Sequence, residues 1–130
     1  GLASQITLKG KIPNKDVPSA IASFDVFVVL SQLDSESFGV AAVEAMAMGK
    51  AVVATDVDGF KEVISNEKTG IIVSRHSVED AEKAILKVAL DPTYRTNLGK
   101  NGRKRVEENY DWDKNVNTML KLYEKMDGII

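Results

Sequence analysis

No cysteine occurs among the 130 residues. That excludes disulfide staples, thiolate metal sites and thiol redox chemistry, and it agrees with a cytoplasmic setting. The single histidine, His76, leaves no His cluster for a metal. Its place just ahead of a helix cap reads as surface rather than as a catalytic base. Aromatic residues make up 6% of the chain and are scattered, so no carbohydrate-stacking platform is evident. No apolar run approaches the ~20 residues needed to span a bilayer, and the opening GLASQITLKG lacks the layout of a signal peptide. The expectation is a soluble chain without a transmembrane segment. Neither charge sign dominates: 17 basic and 19 acidic side chains leave a net charge of -2, which gives no reason to expect nucleic acid as a partner. No repeat, linker or low-complexity tract divides the sequence, so residues 1–130 are read as one domain with a real core.

Four short apolar runs punctuate the first part of the chain: ITL at 6–8, VFVVL at 26–30, AVVAT at 51–55 and IIV at 71–73. All read as strands. VFVVL has no polar residue on either face, as expected of a strand covered on both sides in a parallel sheet. Helical patterns lie between them. Val17, Ala20, Ile21 and Phe24 share a face, residues 40–48 are rich in helix formers, and residues 60–64 have room for a turn or two. This order predicts an α/β fold, a Rossmann-like parallel sheet of about four strands layered with helices. Three C-terminal helices follow. The first spans 78–90, with Ser77 and Asp80 as its cap and Asp91-Pro92 as its stop. The second spans about 93–109 with Tyr94, Leu98 and Val106 inward, weakened by Gly99 and Gly102. The third begins after Asp111 and aligns Trp112, Val116, Met119, Leu120, Tyr123 and Met126.

The segment ESFGVAAVEAMAMG, residues 36–49, carries the most chemistry. It leaves the carboxyl end of an apolar strand and enters a helix, where free first-turn amides of a parallel sheet receive ligands. Gly39 would let a ligand approach those amides. Glu44 is the only charged residue from Phe38 to Gly49, and the surrounding small and apolar letters predict a helix buried on most sides. A carboxylate there must reach solvent, a cation or hydroxyl donors, because its uncompensated burial costs several kcal/mol. Taken alone, Glu44 pointing to water and Glu36 as a surface loop acid is the simpler reading.

The run ESFGVAAVEAMAMGKAVVATDVDGFKEVI, with its two glutamates separated by seven residues, resembles glycosyltransferase family 4 (glycosyl transferases group 1). ITLKGKIP, FDVFVVLSQ, TGIIV and NGRKRVEENYDW extend the resemblance over nearly the whole chain. It implies part of the C-terminal, donor-binding domain of a GT-B enzyme that transfers a hexose from a nucleotide diphosphate sugar with retention, needing no cofactor and no obligatory metal. By the same resemblance Glu36 is the catalytic position and binds the donor sugar together with Ser37, Phe38 and Gly39. The amides of Val40 and Ala41 hold the diphosphate, Glu44 accepts from the ribose, and Lys11 and Ile12 border the nucleobase. Where the family often has two glycines and a proline, this chain has Asp58, Gly59, Phe60 and Lys61, read as a solvent-exposed turn. Glu62 matches the family and is read as a cap or brace of its short helix.

The family's first two units of this domain, with their basic pair for the diphosphate, and its N-terminal acceptor domain have no counterpart in the sequence. The chain alone is therefore expected to be inactive and to bind donor weakly. Because those units lie between the strands equivalent to ITL and VFVVL, either ITL closes a four-stranded sheet in a monomer, the favoured arrangement, or an open edge pairs two molecules. The localisation implied is cytoplasmic, with a position peripheral to the membrane left open for a full-length protein. A non-catalytic binding or structural domain on the same fold remains the alternative. A flavodoxin-like signalling domain would need an acidic cluster at strand ends, for which Asp34, Asp56 and Asp58 are the candidates.

Overall fold

The computed structural model describes residues 1–35 and 38–127. Short 3-10 turns at Leu2–Gln5 and Asn14–Asp16 precede α1 (Val17–Ala22) and β1 (Val26–Val29). Then follow α2 (Val40–Ala47), β2 (Ala51–Thr55), α3 (Asp58–Val63) and β3 (Ile71–Val73). Three consecutive helices complete the described chain: α4 (Val78–Leu90), α5 (Pro92–Asn109) and α6 (Trp112–Asp127). The sheet has the order β1-β2-β3 and both pairings are parallel, with Val26 opposite Ala51 and Val53 opposite Ile71.

The alternating pleat of β2 divides the interior in two. Val52 and Ala54 point into a core shared with Ile21, Ala42, Ala45, Met46, Phe60 and Val63. Ala51 and Val53 point the other way, against Ala81, Ala84, Val88 and Leu98 of α4 and α5. All five β2 residues are buried, so this is the strand covered on both faces.

Two sequence expectations are corrected here. ITL is not a strand: residues 6–8 are irregular, and Leu8 is 93% exposed. No strand of the described sheet pairs with these residues, so no ladder bonds offset the entropy of ordering them, and Gly10 at φ 66° turns the chain two residues later. The sheet therefore has three strands among the described residues rather than four. VFVVL, in turn, lies at the sheet's edge, with Val28 and Leu30 exposed. An apolar composition cannot by itself distinguish a central strand from an edge.

The helix ends follow their caps. Ser77 Oγ accepts from the Asp80 amide at 3.1 Å and Asp111 Oδ1 from the Lys114 amide at 2.9 Å. Asp91 Oδ1 likewise accepts from Tyr94, with Pro92 at the first helical position of α5, where its missing N–H costs nothing. α1 stops two residues before Phe24, and Lys50 Nζ donates to its Ala22 carbonyl at 2.7 Å. The predicted stripe on α6 forms but faces solvent: Trp112, Met119, Leu120, Tyr123 and Met126 are all exposed, and Val116 is half-buried.

Candidate functional site

Because the three strands of the described residues are parallel, their carboxyl ends deliver chain to one rim: residues 30–35 after β1, Asp56-Val57 after β2 and 74–77 after β3. Such rims receive ligands in open α/β sheets. A cavity of ≈ 270 Å³ opens there, lined in part by Gln32, Thr55, Arg75, His76 and Ser77.

The first loop ends at Gly39, whose φ of 70° starts α2. Its carbonyl accepts from the amides of Ala42 and Val43 at 2.9 and 3.1 Å. The amides of Val40 and Ala41, being first-turn groups, have no intrahelical acceptor. The sequence reading assigned Gly39 to ligand approach. The structure adds an internal demand, because a Cβ at this position would lie 2.6 Å from Cδ1 of the Phe60 ring. Phe38 packs edge-on against Tyr110 at 5.5 Å between ring centroids.

α2 buries only Ala42, Ala45 and Met46, which corrects the expectation of a helix covered on most sides. Val40, Ala41, Glu44 and Met48 lie exposed, and positions 40, 44 and 48 form one seam at a spacing of four. Alanine and glycine made the segment look interior, but their small side chains report composition and not direction. Glu44 reaches solvent and also lines a mainly apolar cleft of ≈ 160 Å³ with Val17, Pro18, Ile21, Ala47 and Met48. Lys11 is exposed and Ile12 half-buried in the segment leading to α1. Glu36 and Ser37 lie outside the described residues.

One residue at the rim was missed from sequence. Arg75, with a side chain 18% exposed, donates from Nε to Asp56 Oδ1 at 3.1 Å and from Nη2 to the Asp56 carbonyl at 2.9 Å. Its Nη1 donates to Asp34 Oδ1, and its own amide donates to Asp56 Oδ1 at 3.0 Å. Hydrogen bonds from Arg75 hold the Asp56 carboxyl below the usual carboxylate range, and the bonds to Asp34 and then Asp56 raise the guanidinium above its ordinary value. Both shifts favour the charged forms of Asp56 and Arg75. Asp58 sits at the start of α3, where the helix dipole favours an acid. It pairs with Lys61 at 2.7 Å, which lowers its pKa. These three acids are thus taken up by cations, unlike the open acidic cluster that a flavodoxin-like signalling domain needs.

The stretch read as an exposed turn is a helix whose Gly59 and Phe60 are buried. Phe60 is among the largest fully buried side chains and anchors the first core. The brace expected of Glu62 comes from Arg105 instead, whose Nε and Nη2 donate to the carbonyls of Val63 and Glu62 at 2.6 and 3.0 Å.

A three-stranded parallel sheet layered with helices, with a helix starting at its carboxyl rim, defines a Rossmann-like α/β domain. Residues 1–105 match the family described as Glycosyl transferases group 1, and the chain belongs to that family. The fold is that of the C-terminal domain of GT-B glycosyltransferases. A phosphatidyl-myo-inositol mannosyltransferase of Mycolicibacterium smegmatis is 32% identical over 127 residues, 98% of this chain and 32% of that protein. The solved sucrose-phosphate synthase of Thermosynechococcus elongatus superposes with a TM-score of 0.88 at 32% identity, covering 99% of this chain and 32% of that one. The Anabaena protein HepE, solved in complex with UDP, shares the fold at a TM-score of 0.80 and 22% identity, over 85% of this chain and 30% of that one. The chain spans 20%, 34% and 32% of the length of three curated relatives it matches.

Proposed function

We propose that the chain is the donor-binding portion of a retaining glycosyltransferase that moves a hexose from a nucleotide diphosphate sugar to an acceptor held by another domain. The observation that carries this is the exposed seam of α2. It begins at the free amides of Val40 and Ala41 and reaches Glu44 one turn later, a rise of about 6 Å. That offset suits a diphosphate at the helix start and a ribose beside the carboxylate. Helix-end amides favour the diphosphate and stabilise the negative charge it gains as it departs. Glu44 accepts from ribose hydroxyls, at the mouth of an apolar cleft. In this reading Glu36, Ser37, Phe38 and Gly39 serve the sugar, Lys11 and Ile12 border the base, and no metal or cofactor takes part.

Charged hydrogen bonds contribute about 1.5–3 kcal/mol, so in the intact protein Glu44→Ala should raise the donor KM about tenfold or more. Glu36→Ala should chiefly lower turnover. Both are read from initial rates of sugar transfer. A non-catalytic binding domain would show no transfer to lose, and that result would replace this reading. For the isolated chain, amide dipoles contribute only about 0.3–1 kcal/mol each. Calorimetric titration with nucleotide diphosphate sugars should therefore give millimolar binding and no transfer, whereas low-micromolar affinity would contradict the proposal.

A further inference from the structure

Long-range polar links tie the rim loops and strand ends to each other. Thr55, at the end of β2, donates from Oγ1 to the Ser31 carbonyl at 2.6 Å, fixing the first residues after β1. Three residues further along that loop, Asp34 takes Nη1 of Arg75. The same guanidinium holds both the carboxylate and the carbonyl of Asp56 after β2, and the Asp56 amide donates to the Val73 carbonyl at 2.9 Å. Arg75 is thus the one described side chain that bonds to both other rim loops. Its planar fork allows this, since a lysine at the same place is a point charge that could not hold all of these oxygens in fixed directions.

The partners differ in what they need. Asp56 is already fixed by the end of β2 and by the backbone bonds to Val73 and Arg75. Asp34 belongs to the long loop between β1 and α2, and its side chain is 78% exposed. The loop's far end is fixed separately, by Phe38 on Tyr110 and by Gly39 under Phe60. Two residues beyond Asp34 in the sequence stands Glu36. We propose that Arg75 is a positioning residue for sugar transfer: by clamping Asp34 to Asp56 it sets the near end of the loop that carries the sugar-binding residues, while the Phe60 and Tyr110 contacts set the far end. This rests on the donor-site reading above. With Asp34 78% exposed, its pairing adds little to folding free energy, so the link's consequence falls on placement, where a displacement of about 1 Å can cost up to about 100-fold in rate.

The test is a cycle of Arg75→Ala, Asp34→Asn and their double variant in the intact protein, with Arg75→Lys as the conservative variant and Glu36→Gln as a control on the site itself. Rates are taken per folded molecule, from circular dichroism and active-fraction measurement. Arg75→Ala should lower kcat about tenfold to 100-fold while donor KM shifts less than about threefold, because the Glu44 and helix-start contacts are untouched. Asp34→Asn should show a smaller loss of the same kind, and the double variant should be no worse than Arg75→Ala, since both remove one link. Arg75→Lys should recover part of kcat. If Arg75→Ala fails to fold, the kcat of Asp34→Asn and Arg75→Lys decides the matter. An unchanged kcat in the folded variants, a loss confined to melting temperature, or additive losses would overturn the positioning role while a Glu36→Gln defect left the donor site standing. A Glu36→Gln protein with parental rates would overturn both.

Discussion

Gly99→Ala is expected to destabilise the chain by about 4 kcal/mol, although helix propensity alone argues the reverse. In an exposed helix interior the change from glycine to alanine gains about 1 kcal/mol. The neighbours decide otherwise. A Cβ on Gly99 would collide with the carbonyl oxygen of Gly49 and stand 2.9 Å from its carbonyl carbon, so α5 must shift or the turn between α2 and β2 must yield. The turn is not free to yield. The Gly49 amide donates to the Met46 carbonyl at 2.8 Å and the Lys50 amide to Ala45 at 3.0 Å, with Gly49 at φ 70°. That is the Schellman closure of α2. β2 begins at the next residue but one, in the most buried strand of the sheet. Overpacking at a site with no slack costs about 1–3 kcal/mol or more, and here the obstacle is backbone on both sides. Gly102→Ala is the comparator. Its Cβ would meet the Thr69 carbonyl at 3.1 Å and the flexible Met46 side chain at 3.4 Å, so the propensity gain nearly offsets the contact, and the net change should stay within about 1 kcal/mol. Urea melts of both variants beside the parent chain distinguish them. Equal midpoints would show that α5 does not ride on the Gly49 turn.

That contrast shows where the sequence is informative and where it is silent. Helix α4 is legible to its ends because its signals are local: Ser77 and Asp80 for the start, the Asp91-Pro92 pair for the stop, and a stripe from Ala81 to Val88 between. β2 and β3 are legible as apolar runs between turn residues. Gly99 and Gly102 looked like weaknesses in α5, because propensity sees only the helix they sit in. Their reason lies about fifty residues upstream for Gly99, in the Gly49 turn, and at Thr69 and Met46 for Gly102.

Arg75 was invisible for the same cause. Its partners are 19 and 41 residues away, and no spacing rule links a single arginine after a strand to two aspartates in other loops. ITL misled in the opposite direction, since its letters suit a strand but a strand also needs a neighbour, and the described structure pairs nothing with residues 6–8. For the candidate site, Glu44 and the start of α2 could be anticipated from one continuous segment. The cleft beside Glu44 could not, because Val17, Pro18 and Ile21 of α1 supply its other wall.

Gly39→Ala should cost about 3–4 kcal/mol in stability, and the loss should divide into two parts that a second substitution separates. The first part is backbone. At φ 70° an L-residue pays about 1–2 kcal/mol that glycine does not, and no rearrangement of neighbours removes it. The second is steric: the new methyl would sit 2.6 Å from Cδ1 and 2.9 Å from Cε1 of Phe60. That ring is fully buried among Ala42, Met46, Val57 and Val63, so it cannot swing aside without opening a cavity or straining a rotamer. In a Phe60→Leu background the ring edge is gone. There the same Gly39→Ala change should cost only the backbone share of about 1–2 kcal/mol, even though Phe60→Leu is destabilising on its own. A coupling of about 2 kcal/mol in that cycle, measured by denaturant unfolding, is the expected signature of direct contact. Independent losses would mean that Gly39 is glycine for its dihedral alone, and that Phe60 has no part in seating the start of α2. In the intact protein, Gly39→Ala should also weaken donor binding more than Phe60→Leu does, since it displaces the Val40 and Ala41 amides at their origin.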